Sequence, residues 1–531
     1  MASETLFMGN SFLADEDWYR ELAESLPKEL PAFLLRQRWY GAKARRLRSA
    51  ELADAIPVHG TDLEGVVLVV RLVYADGPEG IYVIPALCEG SSNNSKANDS
   101  AWLRAATSSG VVLAFADALR DERFLKLLLG AFATESVFEG HQGSLRALQT
   151  TAYSRLAPAS GDGLRPKVVR AEQSNSSIIY GDKLILKFFR RIEEGQNPDL
   201  EVGTFLTEKA RFANIPQLAG SLEYRTRDGR TMAQGILQAF VANEGDAWSY
   251  TTKCVKEFYA GVGERSLAVV GDNGARRLAE PYLREAGLLG KRTAELHLAL
   301  APDGAAVDFA PEPFTMEFQR SMERLAEELT SQVFGVLRDK IAELPAEWRG
   351  RAEGISQREA EIVERFRGSL RSPIHGMRTR IHGDYHLGQV LYTGSDFVII
   401  DFEGEPARPL AERRLKRLPL QDVAGMMRSF HYAVFAPLLG AVGGERMAAE
   451  KLTRMIEWAE LWNRWVAARF LENYFAAVGR ASFLPYSEEE RQKLLQVHLL
   501  EKAVYELGYE LNNRPLWVGI PLAGILGLLE G

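Results

Sequence analysis

A short polar segment in the C-terminal half of the chain has residue types suited to phosphoryl transfer. It reads HGDYHLGQ over residues 382–389. Phosphoryl transfer needs a carboxylate that accepts the proton of the attacking hydroxyl, ligands for a metal that holds the phosphates, and a cation on the phosphate oxygens. Asp384 is the candidate for the carboxylate that accepts this proton.

Two residues that follow Asp384 are candidate metal ligands. Gln389 stands at the offset that separates the catalytic-loop Asp from the metal-binding Asn in protein kinases. Two apolar runs flank Gly394–Asp396, which predicts a hairpin that returns Asp401 to the loop. Carboxylate and amide oxygens are suitable Mg²⁺ ligands, and a divalent ion would relieve the repulsion between the two carboxylates. The segment therefore predicts a Mg²⁺-dependent site.

The cation is expected from a strand meander in the N-terminal half. Its last strand, predicted over residues 184–187, ends in Lys187, and a helix with Asn197 as its N-cap follows. Glu201 on that helix is the predicted partner of Lys187, as in the strand-Lys and helix-Glu pair of kinases, with Glu208 as a second choice. This arrangement implies ATP as the phosphate donor.

Other nucleotide contacts are predicted by position along the chain. No Gly-x-Gly-x-x-Gly motif precedes the strand lysine. The predicted first turn of the meander instead contains Ser174, Asn175 and Ser176, whose backbone N–H groups could surround phosphates, although an ordinary Ser/Asn turn is equally compatible. Extended backbone near Gln238 and Phe240 is the predicted hinge that would meet adenine.

Composition and charge narrow the class of protein. The chain has 531 residues, a net charge of −7 and only two cysteines, Cys88 and Cys254. The negative charge argues against a nucleic-acid partner, and the sparse cysteines favour a reducing, cytoplasmic location. The N-terminus lacks the features of a secretory signal. The apolar run over residues 517–529 is too short to span a bilayer, so we expect a docked tail and no membrane partner.

The patterns along the chain predict an α+β protein in three parts. A helix followed by β-branched runs indicates a small N-terminal cap module over residues 1–100. An intermediate region and the strand meander occupy residues 101–240. Helical periodicity dominates residues 241–531, apart from the polar segment around Asp384.

Several segments together resemble the bacterial maltokinases, which are relatives of aminoglycoside phosphotransferases. The resemblance covers nearly the whole chain and is carried by residues 38–41, 174–177, 186–191, 197–201, 382–389, 401–406 and 502–515. It implies a bilobal protein kinase-like fold with an N-terminal α+β cap module, a β-rich N-lobe and a mostly helical C-lobe. The roles of Asp384, Gln389, Asp401 and Lys187 carry over to matching positions.

The resemblance also implies an acceptor and a pathway. The expected reaction moves the γ-phosphate of ATP to the anomeric hydroxyl of maltose, giving maltose 1-phosphate for α-glucan synthesis from trehalose. A complex with trehalose synthase is the implied macromolecular partner. A sugar site needs aromatic faces and fixed polar groups. Eight residues near the polar segment or on the tail helix are candidates for it: His386, Glu405, Arg408, Tyr432, Lys502, Tyr505, Glu506 and Tyr509.

Two other functions remain open from the sequence. The acceptor could be another sugar or an amino sugar, such as glucosamine or an aminoglycoside, because the tail helix offers Glu506 and Glu510 for an amine. The chain could instead be a kinase-like binding subunit that holds a trehalose-converting enzyme. The presence of all the predicted catalytic residues argues against a degenerate site.

Overall fold

The chain is known from a computed structural model and divides into two compact units, Met1–Ala242 and Asn243–Gly531. The residues that the structure describes are 17–60, 63–91, 101–106, 112–157, 163–169, 175–263, 265, 272–302, 307–438 and 449–530.

The N-terminal unit begins with a helix packed on an antiparallel sheet. Helix α1 spans Asp17–Arg36. The sheet has the order β1-β2-β3-β5-β4. Its strands are β1 Leu47–Gly60, β2 Leu63–Tyr74, β3 Gly80–Ser91, β4 Leu103–Ala106 and β5 Val112–Asp117.

Strand β2 is apolar at successive positions because both of its faces are buried. Val66 and Leu68 pack in the cluster that includes α1, whereas Val67 and Val69 pack on the opposite side, towards the second sheet. Successive side chains of a strand point to opposite faces, so a strand covered on both sides needs apolar residues throughout.

A second antiparallel sheet completes the N-terminal unit and contains the predicted meander. Its order is β6-β7-β12-β13-β10-β9-β8. A short strand, β11, pairs instead with β3 of the first sheet. The strands are β6 Val137–Glu139, β7 Gly143–Gln149, β8 Pro166–Val168, β9 Asn175–Tyr180, β10 Leu184–Phe189, β11 Arg191–Ile192, β12 Leu218–Thr226 and β13 Thr231–Ala239. The helices are α2 Glu122–Ala133, α3 Tyr153–Leu156 and α4 Pro198–Thr204.

The C-terminal unit is mostly helical, as the periodicity predicted. Its described α-helices are α5 Ala247–Val262, α6 Asp272–Ala299, α7 Met316–Lys340, α8 Ala346–Ser356, α9 Glu359–Leu370, α10 Leu410–Arg413, α11 Leu420–Phe435, α12 Ala449–Val478, α13 Glu488–Asn513 and α14 Gly519–Glu530. Two pairs of short strands interrupt them: β14 Glu312–Pro313 with β15 Met377–Arg378, and β16 Val390–Tyr392 with β17 Phe397–Ile399.

The hairpin of β16 and β17 confirms the predicted return of the chain. Val390 pairs with Ile399, and Tyr392 pairs with Phe397. The turn is held from outside, because Arg292 of α6 makes two hydrogen bonds, of 2.8 and 2.7 Å, to the carboxylate of Asp396. A bidentate pair of this kind fixes orientation as well as distance.

The apolar C-terminal run forms α14, whose Ile520, Leu522 and Ile525 are fully buried. This confirms the predicted docked tail. Among the residues that the structure describes, none of the helices combines the length and apolar character needed to cross a membrane.

Candidate active site

The loop that carries Asp384 is anchored by a buried carboxylate. Asp422, in the first turn of α11, accepts hydrogen bonds from the backbone N–H of His382 at 2.8 Å and of Gly383 at 3.0 Å. Nε2 of His297 lies 3.2 Å from the same carboxylate. Burial alone would raise the pKa of Asp422, but the hydrogen bond and charge of His297, together with the Gly383 amide, lower it. Asp422 therefore holds the loop as an anion.

The ring of His382 ties the Asp384 loop to the end of the hairpin. Its Nε2 donates to the carbonyl of Ile400 at 2.9 Å, so Nδ1 is the acceptor for the Asp384 backbone N–H at 3.4 Å. Ile400 directly precedes Asp401. One buried imidazole thus fixes both sequence-predicted carboxylates through the backbone.

The two predicted metal ligands lie side by side. Nε2 of Gln389 donates to Oδ2 of Asp401 at 3.0 Å, which leaves the amide oxygen of Gln389 as the possible ligand atom. A carboxylate oxygen of Glu403 lies within 4.8 Å of one from Asp401. The backbone of Asp401 has a φ of 67°, in the left-handed region. An amide oxygen and two carboxylates form a donor set that fits Mg²⁺.

Lys187, in the N-terminal unit, pairs with a carboxylate on the helix that follows its strand. Its Nζ lies 2.9 Å from Oδ2 of Asp199, in the first turn of α4. Glu201 is buried on the same helix, which Asn197 caps as predicted. Glu208 instead accepts hydrogen bonds from Thr151. Asp199 lies in the first turn of α4, where its carboxylate reaches Lys187 of β10. The spacing of residues along the helix did not predict this contact.

The predicted turn at Asn175 and Ser176 is wrong, because both residues lie in a strand, while their contact with phosphate stays a prediction. Asn175 and Ser176 belong to strand β9, because their run continues directly into the buried residues up to Tyr180. Ser176 is buried and accepts a hydrogen bond from Arg190 Nε at 2.9 Å. Ser174 lies outside the described residues.

The predicted hinge residues are placed at the end of a strand. Gln238 belongs to β13 and pairs with Ile185, and the N–H of Phe240 donates to the carbonyl of Lys183 at 2.7 Å. That N–H is therefore used within the sheet, and contact between this segment and adenine stays a prediction.

Five of the eight sugar-site candidates gather around Asp384. Nε2 of His386 is 3.9 Å from Oδ2 of Asp384, and Lys502 Nζ is 4.8 Å from the ring centroid of Tyr505. Burial raises the pKa of Tyr505, and the charge and hydrogen bond of Glu405 raise it further, whereas Arg408 opposes the rise. Burial lowers the pKa of His386 despite the nearby Asp384.

The other three candidates lie apart from this group. Glu506 pairs with Arg428 at 2.6 Å, and the hydroxyl of Tyr432 donates to Glu510 at 3.1 Å. Both contacts join α11 to α13. Tyr509 is substantially exposed and lies under the guanidinium of Arg514. These contacts stabilise helix packing. The polar residues of α13 therefore fall into two groups, one near Asp384 and one in contact with α11.

The Lys187 assignment leads to a prediction about nucleotide use. Replacing Lys187 with Met should lower kcat/KM for ATP by roughly 10²-fold, because a cation on the phosphate oxygens is lost. Steady-state kinetics with varied ATP would measure this. Lys183→Met is the matched control, since Lys183 is exposed on the same hairpin and pairs with Asp182. Equal kinetics for the two variants would remove Lys187 from the nucleotide site.

Two proteins similar to this chain in sequence are named glucosamine kinases. No model of a known protein family matches the chain. It is 25% identical over 437 residues to a glucosamine kinase of Mycolicibacterium smegmatis, covering 81% of this chain and 91% of that protein. It is 23% identical over 383 residues to a glucosamine kinase of Streptacidiphilus jiangxiensis, covering 71% and 76%.

A solved structure gives the same fold. The structure described as glucosamine kinase in complex with glucosamine, ADP and inorganic phosphate has a TM-score of 0.61 at 18% identity, covering 95% of this chain and 98% of that one. The predicted α+β, protein kinase-like fold class is confirmed. Fold and relatives together define the class of the chain, a kinase-like phosphotransferase. They support this superfamily without supporting maltokinase in particular.

Proposed function

We propose that the chain is an ATP-dependent sugar kinase with Asp384 as its general base. The observation that carries the proposal is the doubly anchored loop: Asp422 holds the backbone N–H groups of residues 382 and 383, and His382 ties the loop to the residue before Asp401. Catalysis of phosphoryl transfer is largely positioning and charge stabilisation, and this arrangement supplies positioning.

The proposed step is one displacement at phosphorus. Asp384 accepts the proton of the sugar hydroxyl, the hydroxyl oxygen bonds to the γ-phosphorus, and the bond to the ADP oxygen breaks. His386 holds its side chain towards Asp384 by accepting the Gly388 N–H at Nδ1, 3.0 Å away. Mg²⁺ bound by Gln389 and Asp401 would neutralise phosphate charge.

Charge balance around Asp384 favours a neutral sugar. Asp384, Asp401 and Glu405 contribute three carboxylates to this neighbourhood, and Lys502 and Arg408 contribute two cations. Mg²⁺ on Asp401 would offset the third carboxylate. An ammonium would be better served by a net negative site, whereas hydroxyls use both donors and acceptors. We therefore propose maltose as the first candidate acceptor, with the maltokinase resemblance as its other support. The trehalose synthase partner and the cytoplasmic location remain predictions from that resemblance and from composition.

Glucosamine is the second candidate acceptor. Its support is the name of both sequence relatives and of the solved structure, which was determined with glucosamine. These relatives do not support maltose. The two candidates are glucose-type sugars, so the proposed class of reaction is the same for both.

A panel of acceptors tests the proposal. The purified chain is incubated with ATP, Mg²⁺ and maltose, glucosamine, glucose or an aminoglycoside, and ADP release is measured. We expect kcat/KM for maltose to exceed that for glucosamine by at least ~10-fold, the lower end of the discrimination that a single substrate group provides. The reverse order would assign the chain to glucosamine. Absence of sugar-dependent ADP release would contradict the kinase proposal and favour a binding subunit.

A further inference from the structure

A cleft in the N-terminal unit is lined by none of the residues assigned to catalysis. It has a volume of about 590 Å³ and is bounded by the first sheet and by the turn between β12 and β13. Small-molecule sites commonly enclose roughly 300–1,000 Å³. Neither Lys187 nor Asp199 lines it.

The walls of the cleft are built on a rigid base. Asp54, fully buried behind it, accepts the hydroxyl of Tyr224 at 2.9 Å and the backbone N–H of Gln142 at 2.9 Å. Tyr224 and Gln142 themselves line the cleft. One buried carboxylate thus joins the first sheet to the second, and the cleft between them keeps its shape.

The turn between β12 and β13 presents positive charge at the mouth of the cleft. The backbone of Arg227 donates to the carbonyl of Gln142 at 3.0 Å, and Gly229, with a φ of 92°, closes the turn onto Thr226. The guanidinium of Arg227 is exposed and makes no hydrogen bond or ion pair within the part of the chain that the structure describes. The backbone of Arg227 is therefore fixed, and its guanidinium is accessible to a ligand.

Two further guanidinium groups line the same cleft in weak ion pairs. Arg71 pairs with Glu79 at 2.8 Å, and Arg230 pairs with Asp228 at 2.9 Å and Glu194 at 3.1 Å. All of these side chains are at least 40% exposed. Exposed ion pairs contribute little to stability, so a better anion can displace their carboxylates.

The other residues that line the cleft indicate which chemical groups a bound anion would have besides its charge. Leu52, Val69, Ile81 and Met232 provide an apolar surface, while Glu51 offers a carboxylate for hydroxyl groups. Guanidinium groups bind phosphate in a bidentate manner. We propose that this cleft is a second ligand site, which binds a sugar phosphate through its phosphate on Arg227 and its hydroxylated ring on the cleft wall.

Isothermal titration of the full chain with glucose 6-phosphate tests this site. A saturating non-hydrolysable ATP analogue is included so that the proposed active site contributes no phosphate binding. We expect Arg227→Gln to weaken binding at least tenfold and Glu51→Gln to weaken it less. Arg120→Gln, which removes an exposed arginine elsewhere in the same unit, and Lys187→Met should leave it unchanged.

Three results would overturn the second site. Absence of binding by the unmodified chain is one, and equal binding by the Arg227→Gln variant is another. Inorganic phosphate binding as tightly as glucose 6-phosphate is the third, because the ring would then make no contribution. Arg227 is exposed and its variant should keep the melting temperature of the unmodified chain, so loss of binding cannot be ascribed to unfolding. The titration measures binding alone, so its result does not depend on kinase turnover or on which sugar is the acceptor.

Discussion

Asp384→Asn is expected to reduce turnover by about 10²–10⁴-fold or more while leaving nucleotide affinity largely unchanged. Asparagine has nearly the same shape and keeps the backbone N–H that His382 Nδ1 accepts, so the loop should stay in place. What the variant loses is the ability to take a proton from the acceptor hydroxyl. Single-turnover kinetics, with nucleotide binding measured by titration, separate the chemical step from binding.

A matched control for this variant is Asp339→Asn, which changes the same residue type on the exposed side of α7 in the same unit. It should turn over like the unmodified chain. Full activity of Asp384→Asn would exclude Asp384 as the base. Loss of activity together with loss of nucleotide binding would instead show that the substitution disturbs the site as a whole.

Asp422→Asn is expected to lower both stability and turnover. The buried carboxylate accepts from two backbone N–H groups and pairs with His297, and an amide cannot satisfy all three, because its nitrogen must face one of the donors. Leaving a buried hydrogen-bond donor without its partner costs about 1–3 kcal/mol. Since Asp422 positions the loop and does not reach the substrate in the proposed mechanism, kcat should fall more than the KM for either substrate rises.

Hydrogen exchange distinguishes positioning from general instability in this variant. The amides of His382 and Gly383 should lose protection locally, whereas amides in the second sheet of the N-terminal unit should keep theirs. The matched control is Asp308→Asn, which removes an exposed carboxylate 3.8 Å from Arg414 in the same unit. Unchanged exchange at residues 382 and 383, with turnover retained, would contradict the anchoring role.

The parts of the candidate site that could be predicted from sequence are those set by local chemistry. The hairpin that returns Asp401 follows from two apolar runs around Gly394, and the cap of α4 follows from Asn197 before a proline. In each case the signal lies within about ten residues of its effect. Such features depend on turn and capping preferences, which tertiary contacts seldom reverse.

The parts that could not be predicted depend on long-range contacts. Asp422 contacts the loop from 40 residues away, and His297, 85 residues before the loop, contacts Asp422. Neither residue lies in a local motif. An acidic residue in the first turn of a helix is expected for dipole reasons alone, so Asp422 gave no signal of its role. Asp199 was overlooked for the same reason.

The tail helix shows how helical spacing misleads when several neighbours surround one helix. Lys502, Tyr505, Glu506 and Tyr509 share one face by spacing, yet Tyr505 meets Glu405 while Glu506 meets Arg428. A helical face is wide enough to contact two elements. Which of these residues pair with α11 is therefore decided by the position of that helix, and helical spacing does not predict this position.

The left-handed backbone of Asp401 restricts what can occupy that position. Short polar residues such as Asp and Asn enter this conformation more readily than longer or branched ones, because the side chain can bond to its own backbone. Of the two acidic residues, aspartate alone combines that tolerance with a carboxylate. A change to glutamate would keep the charge and still strain the chain, so at this position the length of the side chain matters as much as its ionisation.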